Sequence, residues 1–313
     1  MHPILNSLFE SLQINNDSRD FLSAIQEIRE TLPVSLVVRP GVFGDLQLLR
    51  PLEQLFSDSR PGQKIDLILS ASFLDENQDF LISRYLRQTV DAYNILVAHS
   101  ASAGFLLLPG AKELVLSSRA GFLPYTRPAR EGELGLHRVR TVRKHLGDEA
   151  LWHRFKVEEL ADTVSRLDSQ MECLKHCWKN SDLPPEKLKE ARSLYLEAPF
   201  GPNGEILRED LQELGFEVLK AEQSGVLGSL KQLEVFYTAL VRMATKMEGM
   251  QQVPRAPETS HPSSTQQSQF TEVPFEAQAD LIAIVESPLR RFLCFEVQGL
   301  PQTQGNERLW VEK

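Results

Sequence analysis

The chain has 313 residues, of which 34 are Lys or Arg and 43 are Asp or Glu, so its formal net charge is −9 at pH 7. This length suits one large domain or two smaller ones, and the acidic balance argues against a dedicated nucleic-acid-binding protein. Three cysteines exclude a disulfide-dense scaffold. The first twelve residues lack a signal-peptide pattern, and no run of about 18 apolar residues occurs, so we expect a cytoplasmic protein without a membrane span.

Helical and strand patterns alternate along the first half of the chain. Apolar residues at helical spacing predict helices, and short apolar runs rich in β-branched residues predict the strands between them. Continuous apolar strands separated by helices are typical of a parallel sheet that is covered on both faces. In chain order we predict two helices before residue 33, a strand at 34–38, a helix at 45–56, a strand at 65–69, a helix at 77–90, a strand at 95–98, a short helix from Ser102 and a strand at 113–116.

The second half of the chain is mostly helical by pattern. Apolar residues between 160 and 178 repeat at alternating spacings of four and three, which indicates a helix that packs lengthwise on another, within the subunit or across an oligomer contact. Residues 251–270 are polar and rich in Pro, Ser and Gln, so we expect a flexible linker. The other predicted elements are helices from 184, at 206–214 and at 225–250, and strands at 216–219, 280–287, 291–297 and 308–313.

Ser102 follows the predicted strand at 95–98, where a tight turn of small residues would open a helix. A hydroxyl at this point is exposed at the carboxyl end of the strand, beside the free amides of Ala103 and Gly104. Backbone N–H groups and the helix dipole stabilise developing negative charge, so the arrangement suits a nucleophile with an oxyanion hole. The alternative is a serine that only caps a helix, because serine is a good capping residue.

Several short motifs surround Ser102 in a set order. They are IDLIL at 65–69, RYLR at 84–87, ASAG at 101–104, AGFLP at 120–124 and an element at 204–218 that ends in LGFEV. In order and spacing they resemble the ClpP/crotonase superfamily, and most closely its branch related to serine dehydrogenase proteinase and signal peptide peptidase A. The resemblance covers residues 34–219 and is strongest between 65 and 128.

The resemblance implies a ClpP/crotonase-like core of parallel strands with flanking helices, with Ser102 as the nucleophile and the Ala103 amide as an oxyanion donor. It also implies a peptide or protein substrate, and relatives of this kind are commonly oligomeric. We expect a homo-oligomer that needs no cofactor and no metal. Together with the patterns above, it predicts N-terminal helices (1–33), a ClpP/crotonase-like domain with helical additions (34–250), the linker (251–270) and a small C-terminal β appendage (271–313).

The chain departs from the family pattern near the expected oxyanion hole. Phe73 and Leu74 lie where the family has a Gly-Gly turn, and both tolerate a positive φ poorly, so one donor of the hole would be misplaced. Phe105 replaces a small residue and would crowd the pocket. The histidine that follows the serine in ClpP-type proteins is missing, and the next histidine is His137.

A serine nucleophile needs a base. The remaining family-like option is a Ser–Lys dyad, for which our candidate is Lys144, and Lys112 and Lys156 are alternatives. Each lysine is otherwise an ordinary surface charge. His99 lies near Ser102 in sequence, but we interpret it as a packed turn residue rather than a base.

Two weaker patterns carry less weight. Cys173, His176 and Cys177 have metal-ligand spacing, but a structural metal site needs four ligands, so helix packing is the favoured interpretation. The chain has no phosphate-binding glycine motif, so we expect no nucleotide cofactor. Residues 119–144 hold seven Lys or Arg and two Glu, which favours a solvated face or pairing between subunits.

Two hypotheses about function follow. The first is a serine hydrolase, specifically a peptidase, which the retained S-A-G turn favours. The second is a catalytically inactive relative, a pseudoenzyme that acts as an oligomeric scaffold or binds a partner. The lost Gly-Gly turn and the missing histidine favour the second.

Overall fold

The apolar runs of the first half of the chain form the centre of one large β-sheet in a computed structural model of the protein. The central strands are parallel and lie side by side in chain order. This confirms the predicted mixed α/β class with a mostly parallel sheet, and the strand ends differ from the prediction by one or two residues. The central strands are β1 (Leu32–Val38), β2 (Ile65–Ala71), β3 (Tyr93–Val97) and β4 (Ala111–Leu116), and β7 (Val218–Lys220) is the edge strand beyond β4.

The structure describes residues 17–39, 46–57, 62–71, 76–90, 92–99, 104, 106–118, 120–122, 165, 172–179, 183–197, 206–241, 244–254, 270–298 and 307–312. Helices cover both faces of the sheet, and none of those within the described residues is long and apolar enough to cross a membrane. Residues 172–178 are also helical, as predicted. The helices are α1 (Asp17–Arg29), α2 (Leu49–Ser57), α3 (Glu76–Thr89), α4 (Pro185–Glu197), α5 (Arg208–Glu213) and α6 (Leu227–Leu240).

Alternate residues of β1, β2, β3 and β4 enter two separate hydrophobic cores. On β3, Ile95 packs with the core that contains α2, α3 and the helical residues 172–178, while Leu96 packs with α1 and α6 on the opposite face. Because side chains alternate along a strand, a strand that is apolar throughout buries both of its faces. A short two-stranded sheet of β5 (Gly121–Phe122) and β6 (Ile206–Leu207) lies apart from this main sheet.

The three predicted C-terminal strands are present and antiparallel, and they extend the central sheet. They are β9 (Phe270–Glu286), β10 (Arg291–Gln298) and β11 (Glu307–Glu312). The end of β9 pairs with β1, so that Ser35 lies opposite Glu286. The C-terminal strands therefore complete the hydrogen bonding of β1, which would otherwise be an edge strand.

The predicted helix at 225–250 is wrong in its second half. Helix α6 ends at Leu240, and β8 (Ala244–Pro254) pairs with β9 along its whole length. Strand pairing satisfies the backbone of this segment, whereas Gly249 weakens a helix. Residues 251–254 and 270 of the predicted linker belong to β8 and β9, and residues 255–269 lie outside the described residues. The division of the chain into four parts remains a prediction.

A network of hydrogen bonds and ion pairs lies at the amino-terminal ends of the parallel strands. Asp66 is fully buried and accepts hydrogen bonds from Thr31 Oγ1 and Asn94 Nδ2, each at 2.7 Å, and from the guanidinium of Arg29. Arg29 also donates to Glu113 at 2.6 Å. These contacts join α1 to the starts of three strands. Because groups of the protein satisfy the Asp66 carboxylate, this end of the sheet has a structural role.

Candidate functional site

The carboxyl end of β3 is held in place by β4. The Ser117 N–H donates to the Val97 carbonyl at 3.1 Å, and the Ser117 hydroxyl donates to the Ala98 carbonyl. Ligands of open α/β sheets bind at the carboxyl ends of the strands. The backbone that leads into the predicted nucleophile turn therefore starts from a fixed point at the edge where a site is expected.

Gly104 marks the other end of that turn and lies in a conformation that favours glycine. Its φ is +98°, and a Cβ built on it would lie 2.4 Å from Leu69 Cδ1. Its N–H donates to Asp79 Oδ2 at 3.0 Å, in a buried environment. Both the backbone conformation and the close approach of β2 select glycine at the last position of the A-S-A-G motif.

Helix α3 and β3 hold the residues that follow Gly104. The Ser83 hydroxyl donates to the Leu106 carbonyl at 3.0 Å, and the Tyr93 hydroxyl donates to the Leu107 carbonyl. Burial raises the pKa of Tyr93 far above that of a free phenol, so the group remains a neutral donor. Buried polar side chains on rigid elements thus fix the backbone after the turn, as a preorganised site requires.

The predicted short helix from Ser102 is wrong for its described part. Residues 106 and 107 form a turn, and only a single 3₁₀ turn follows, at Leu108–Gly110. The positive φ of Gly104 and the ring of Pro109 both oppose a regular α-helix here. Residues 106–110 therefore provide no helix dipole that could stabilise negative charge at this point.

Ser102, Ala103 and Lys144, the predicted nucleophile, oxyanion donor and base, all lie outside the described residues, and so does Lys156. Their roles remain predictions. Covalent geometry still limits how far Ser102 lies from its described neighbours, because consecutive Cα atoms are about 3.8 Å apart. The Cα atom of Ser102 therefore lies within about 11 Å of that of His99 and about 8 Å of that of Gly104.

His99 is not the packed turn residue that we predict from the sequence. Its side chain is 48% exposed, and its Nε2 lies 3.2 Å from Glu234 Oε2 on α6. The interpretation is wrong because the strand ends at Val97, and the two residues after it form a bend at the sheet edge. The structure thus places an accessible imidazole beside a carboxylate at the carboxyl end of β3.

Glu234 is the less accessible member of this pair. Its side chain is 26% exposed, and burial raises its pKa while the nearby imidazole acts in the opposite direction. Its Oε2 atom is buried and makes no aligned hydrogen bond among the described residues. The contact with His99 is thus at ion-pair distance without the geometry of a good hydrogen bond.

Lys112 is wrong as a candidate base. It is the second residue of β4, whose first residue, Ala111, lies opposite Tyr93 at the start of β3. Because the two strands are parallel, Lys112 lies at the amino-terminal edge of the sheet, and Ser102 follows the carboxyl end of β3. The predicted parallel sheet already implies this position, because Lys112 directly precedes the predicted strand at 113–116.

The Cys-His-Cys pattern divides between the core and the surface. Cys177 lies in the hydrophobic core, and burial raises the pKa of its thiol. His176 is exposed and contacts the Phe80 ring edge-on, with ring centroids 5.2 Å apart. The residues that the structure describes contain no group of three side chains able to hold a metal ion.

Sequence reasoning missed Asp79 and Glu234. Asp79 is an acid in the buried stripe of α3, in helical register with Ile82 and Leu86. Glu234 lies on α6 between the buried residues Leu230 and Tyr237. A carboxylate within an apolar stripe was the available signal, because burying such a group requires a specific partner.

No family model, curated protein or solved structure matches this chain. The likeness to the ClpP/crotonase superfamily therefore remains a prediction that depends on its motifs. The site itself is described by its geometry: a strand end held by Ser117, an imidazole–carboxylate pair directly after that strand, and a glycine turn held by Asp79.

Proposed function

We propose that the chain is a serine hydrolase that cleaves a peptide or protein substrate. Ser102 is the nucleophile and the Ala103 amide is an oxyanion donor. The observation that supports this is the buried turn at Gly104, where φ is +98° and the N–H is held by Asp79. A catalytic turn must be held rigidly by its surroundings, and a helix cap has no need of a glycine held this way.

The proposal includes the finer features that the motifs imply. They are a ClpP/crotonase-like core, a cytoplasmic location and assembly into a homo-oligomer, for which the a/d pattern between residues 160 and 178 is the support. A Ser–Lys dyad is the family-like option for the base, and Lys144 is our candidate for its lysine. A serine–lysine pair transfers the hydroxyl proton to a neutral amine, so this base requires a lysine with a lowered pKa.

The second candidate is a pseudoenzyme that acts as an oligomeric scaffold or binds a partner. Phe73 and Leu74 in place of the Gly-Gly turn favour it. Loss of one oxyanion donor lowers the rate by about 10²–10³-fold, so a chain without that turn can retain the fold and lose useful turnover.

Covalent labelling with a fluorophosphonate separates the two candidates, because the probe reacts with an activated serine. We expect the wild-type protein to be labelled and Ser102→Ala to remain unlabelled. Ser118→Ala is a matched control, since Ser118 is an exposed serine just beyond β4 at the same edge of the sheet. Circular dichroism checks that each variant is folded.

Labelling of folded wild-type protein that persists in Ser102→Ala would place the nucleophile elsewhere. Absence of labelling in folded wild-type protein would contradict the hydrolase and leave the pseudoenzyme.

A further inference from the structure

The outer face of helix α6 carries less charge than a helix on the surface of a soluble protein normally does. Such a helix places charged and polar residues on the side opposite the core. The other surface helices follow this rule: Asp20 and Glu27 are exposed on α1, and Glu186, Lys189 and Glu190 are exposed on α4. Helix α6 departs from it, although its inner side packs in the core as usual.

The exposed residues of α6, which the structure describes throughout, lie along one side of the helix. They recur at spacings of three and four, and Lys231 is the single charged residue among them. Val235 is 67% exposed and lies near their centre, while Glu234 is turned toward His99. Few charges around an exposed aliphatic side chain are typical of the core of a protein–protein interface. The exposed residues are Gly228, Lys231, Gln232, Val235, Thr238 and Ala239.

Helix α1 lies beside α6 and runs antiparallel to it. At one end of the pair, Ser18 Oγ and Tyr237 OH both donate to the Glu286 carboxylate. At the other end, a Cβ on Gly225 would lie 3.7 Å from Ile28 Cγ2. The start of α1 is therefore next to the end of α6, and the outer faces of the two helices lie side by side.

The two outer faces carry opposite charges at the same height along the helices. The antiparallel arrangement places Lys231 level with the middle of α1, between the heights of Asp20 and Glu27. A second copy, rotated by 180° about an axis parallel to both helices, lays its α1 on α6 of the first copy and preserves these heights. Because such a contact is the same in both directions, Lys231 of each copy meets Asp20 and Glu27 of the other.

We propose that the outer faces of α1 and α6 form the contact between two copies of this chain, with Val235 at its apolar centre. This interface deepens the homo-oligomer of the proposed function and rests on it, but it does not depend on the reactivity of Ser102. A second copy is the occupant because one surface carries both the base and the acids of the pairing.

A carboxylate of the same copy does not prevent this pairing. Glu222, in the turn before α6, lies near enough to Lys231 to feel its charge, and its Oε1 accepts the Ser118 N–H at 3.0 Å. A lysine ammonium has three donors, so Lys231 can pair with Glu222 and with carboxylates of a second copy at once.

Sedimentation velocity of the full chain, over about 1–100 μM, measures this association. We expect a wild-type oligomer and, in Val235→Glu, a dissociation constant raised by about 100-fold or more, because the new carboxylate is buried in the contact without a partner. Leu289→Glu is the matched control. Leu289 is 69% exposed, and the next residue, Arg290, bonds the Gln54 carbonyl of α2 on the opposite face of the sheet. This variant should associate as the wild type does.

A charge-reversal series tests the pairing between the helices. We expect Lys231→Glu to raise the dissociation constant by about 10-fold or more, because it sets like charges against Asp20 and Glu27 of the other copy. Combining it with Asp20→Lys and Glu27→Lys should recover most of that loss. Lys189→Glu, at an exposed lysine of α4, is the control and should leave the constant unchanged. Circular dichroism checks that each variant is folded.

The outcomes distinguish the interface from the rest of the proposed function. Wild-type protein that stays monomeric at every concentration overturns the interface and the homo-oligomer, and the labelling of Ser102 still decides the hydrolase. An oligomer that persists unchanged in folded Val235→Glu and Lys231→Glu overturns this interface and leaves the homo-oligomer standing. A loss in Lys231→Glu that the triple variant does not recover overturns the pairing of α1 with α6, and with it a second copy as the occupant.

Discussion

At the scale of single residues, Gly104 combines two constraints. Its left-handed conformation disfavours every side chain, and the neighbouring methyl group of Leu69 occupies the space of a Cβ. Gly225 shares the first constraint without the second: its φ is +76°, and a Cβ there would meet Ile28 Cγ2 at an ordinary 3.7 Å. The two glycines therefore allow the backbone cost and the packing cost to be measured separately.

We expect Gly104→Ala to lower the free energy of unfolding by about 2–4 kcal/mol and Gly225→Ala by about 1–2 kcal/mol. The difference arises because Leu69 is buried and must move within a packed core. Urea denaturation of both variants gives the two values. Equal losses would show that Leu69 moves aside without cost and that packing does not select glycine at this turn.

At the scale of elements, a buried ionic network joins two helices to the C-terminal hairpin. Glu286 at the end of β9 is fully buried and accepts hydrogen bonds from Arg291 Nε at 2.7 Å, Ser18 Oγ at 3.0 Å and Tyr237 OH at 3.1 Å. These donors lie on β10, α1 and α6. A buried charge is tolerated only when it is paired and hydrogen-bonded, so the network specifies how these elements dock.

Glu286→Gln tests this network. It leaves the buried Arg291 guanidinium without its counter-charge, so we expect a loss of about 3–5 kcal/mol in the free energy of unfolding. The matched control is Glu190→Gln, which removes the exposed ion pair with Lys187 at 3.0 Å and should change stability by no more than about 0.5 kcal/mol. Similar effects in both variants, measured by urea denaturation, would contradict a structural role for the buried pair.

At the scale of the whole molecule, both hydrophobic cores contain a buried phenol. Tyr93 lies in the core on one face of the sheet and Tyr237 in the core on the other. Burial raises the pKa of each above its ordinary value of 10.0, and the Glu286 carboxylate adds to the effect at Tyr237. Burial also raises the pKa of the Cys294 thiol to about 12. These groups make the folded state sensitive to alkali.

The direction in which stability changes with pH follows from proton binding. Above pH 10 the unfolded chain releases the phenol protons while the folded protein keeps them, so stability is fully present below pH 10 and falls as the pH rises. Each tyrosine contributes a loss of about 1.4 kcal/mol per pH unit. Between pH 10 and 11 the loss is about 1 kcal/mol, because the unfolded phenol is only half ionised at pH 10. We expect Tyr93→Phe to remove that part of the loss in urea denaturation series. A slope that Tyr93→Phe leaves unchanged would contradict the burial of this phenol.

Much of the fold follows from local pattern. The parallel strands and most helices were predictable because continuous apolar runs and helical spacing directly reflect burial on two faces. The end of α6 at Leu240 was not predictable, because β8 forms only by pairing with β9, which is a contact between distant segments. For the site, the glycine of the A-S-A-G motif was visible in the sequence, whereas Asp79 was marked only as a carboxylate in an apolar stripe, and its pairing with Gly104 was not predictable.

The sequence by itself determined the α/β class of the protein, the positions of most of its strands and helices, and the small-residue segment with a serine that follows β3. These depend on local periodicity and on the conformational limits of each residue type. Only the tertiary structure decided which charged groups meet near the carboxyl end of β3. It brought Glu234 on α6 to His99, and it brought Asp79 on α3 to the N–H of Gly104. Contacts between distant segments depend on how whole elements pack, and no local pattern records them.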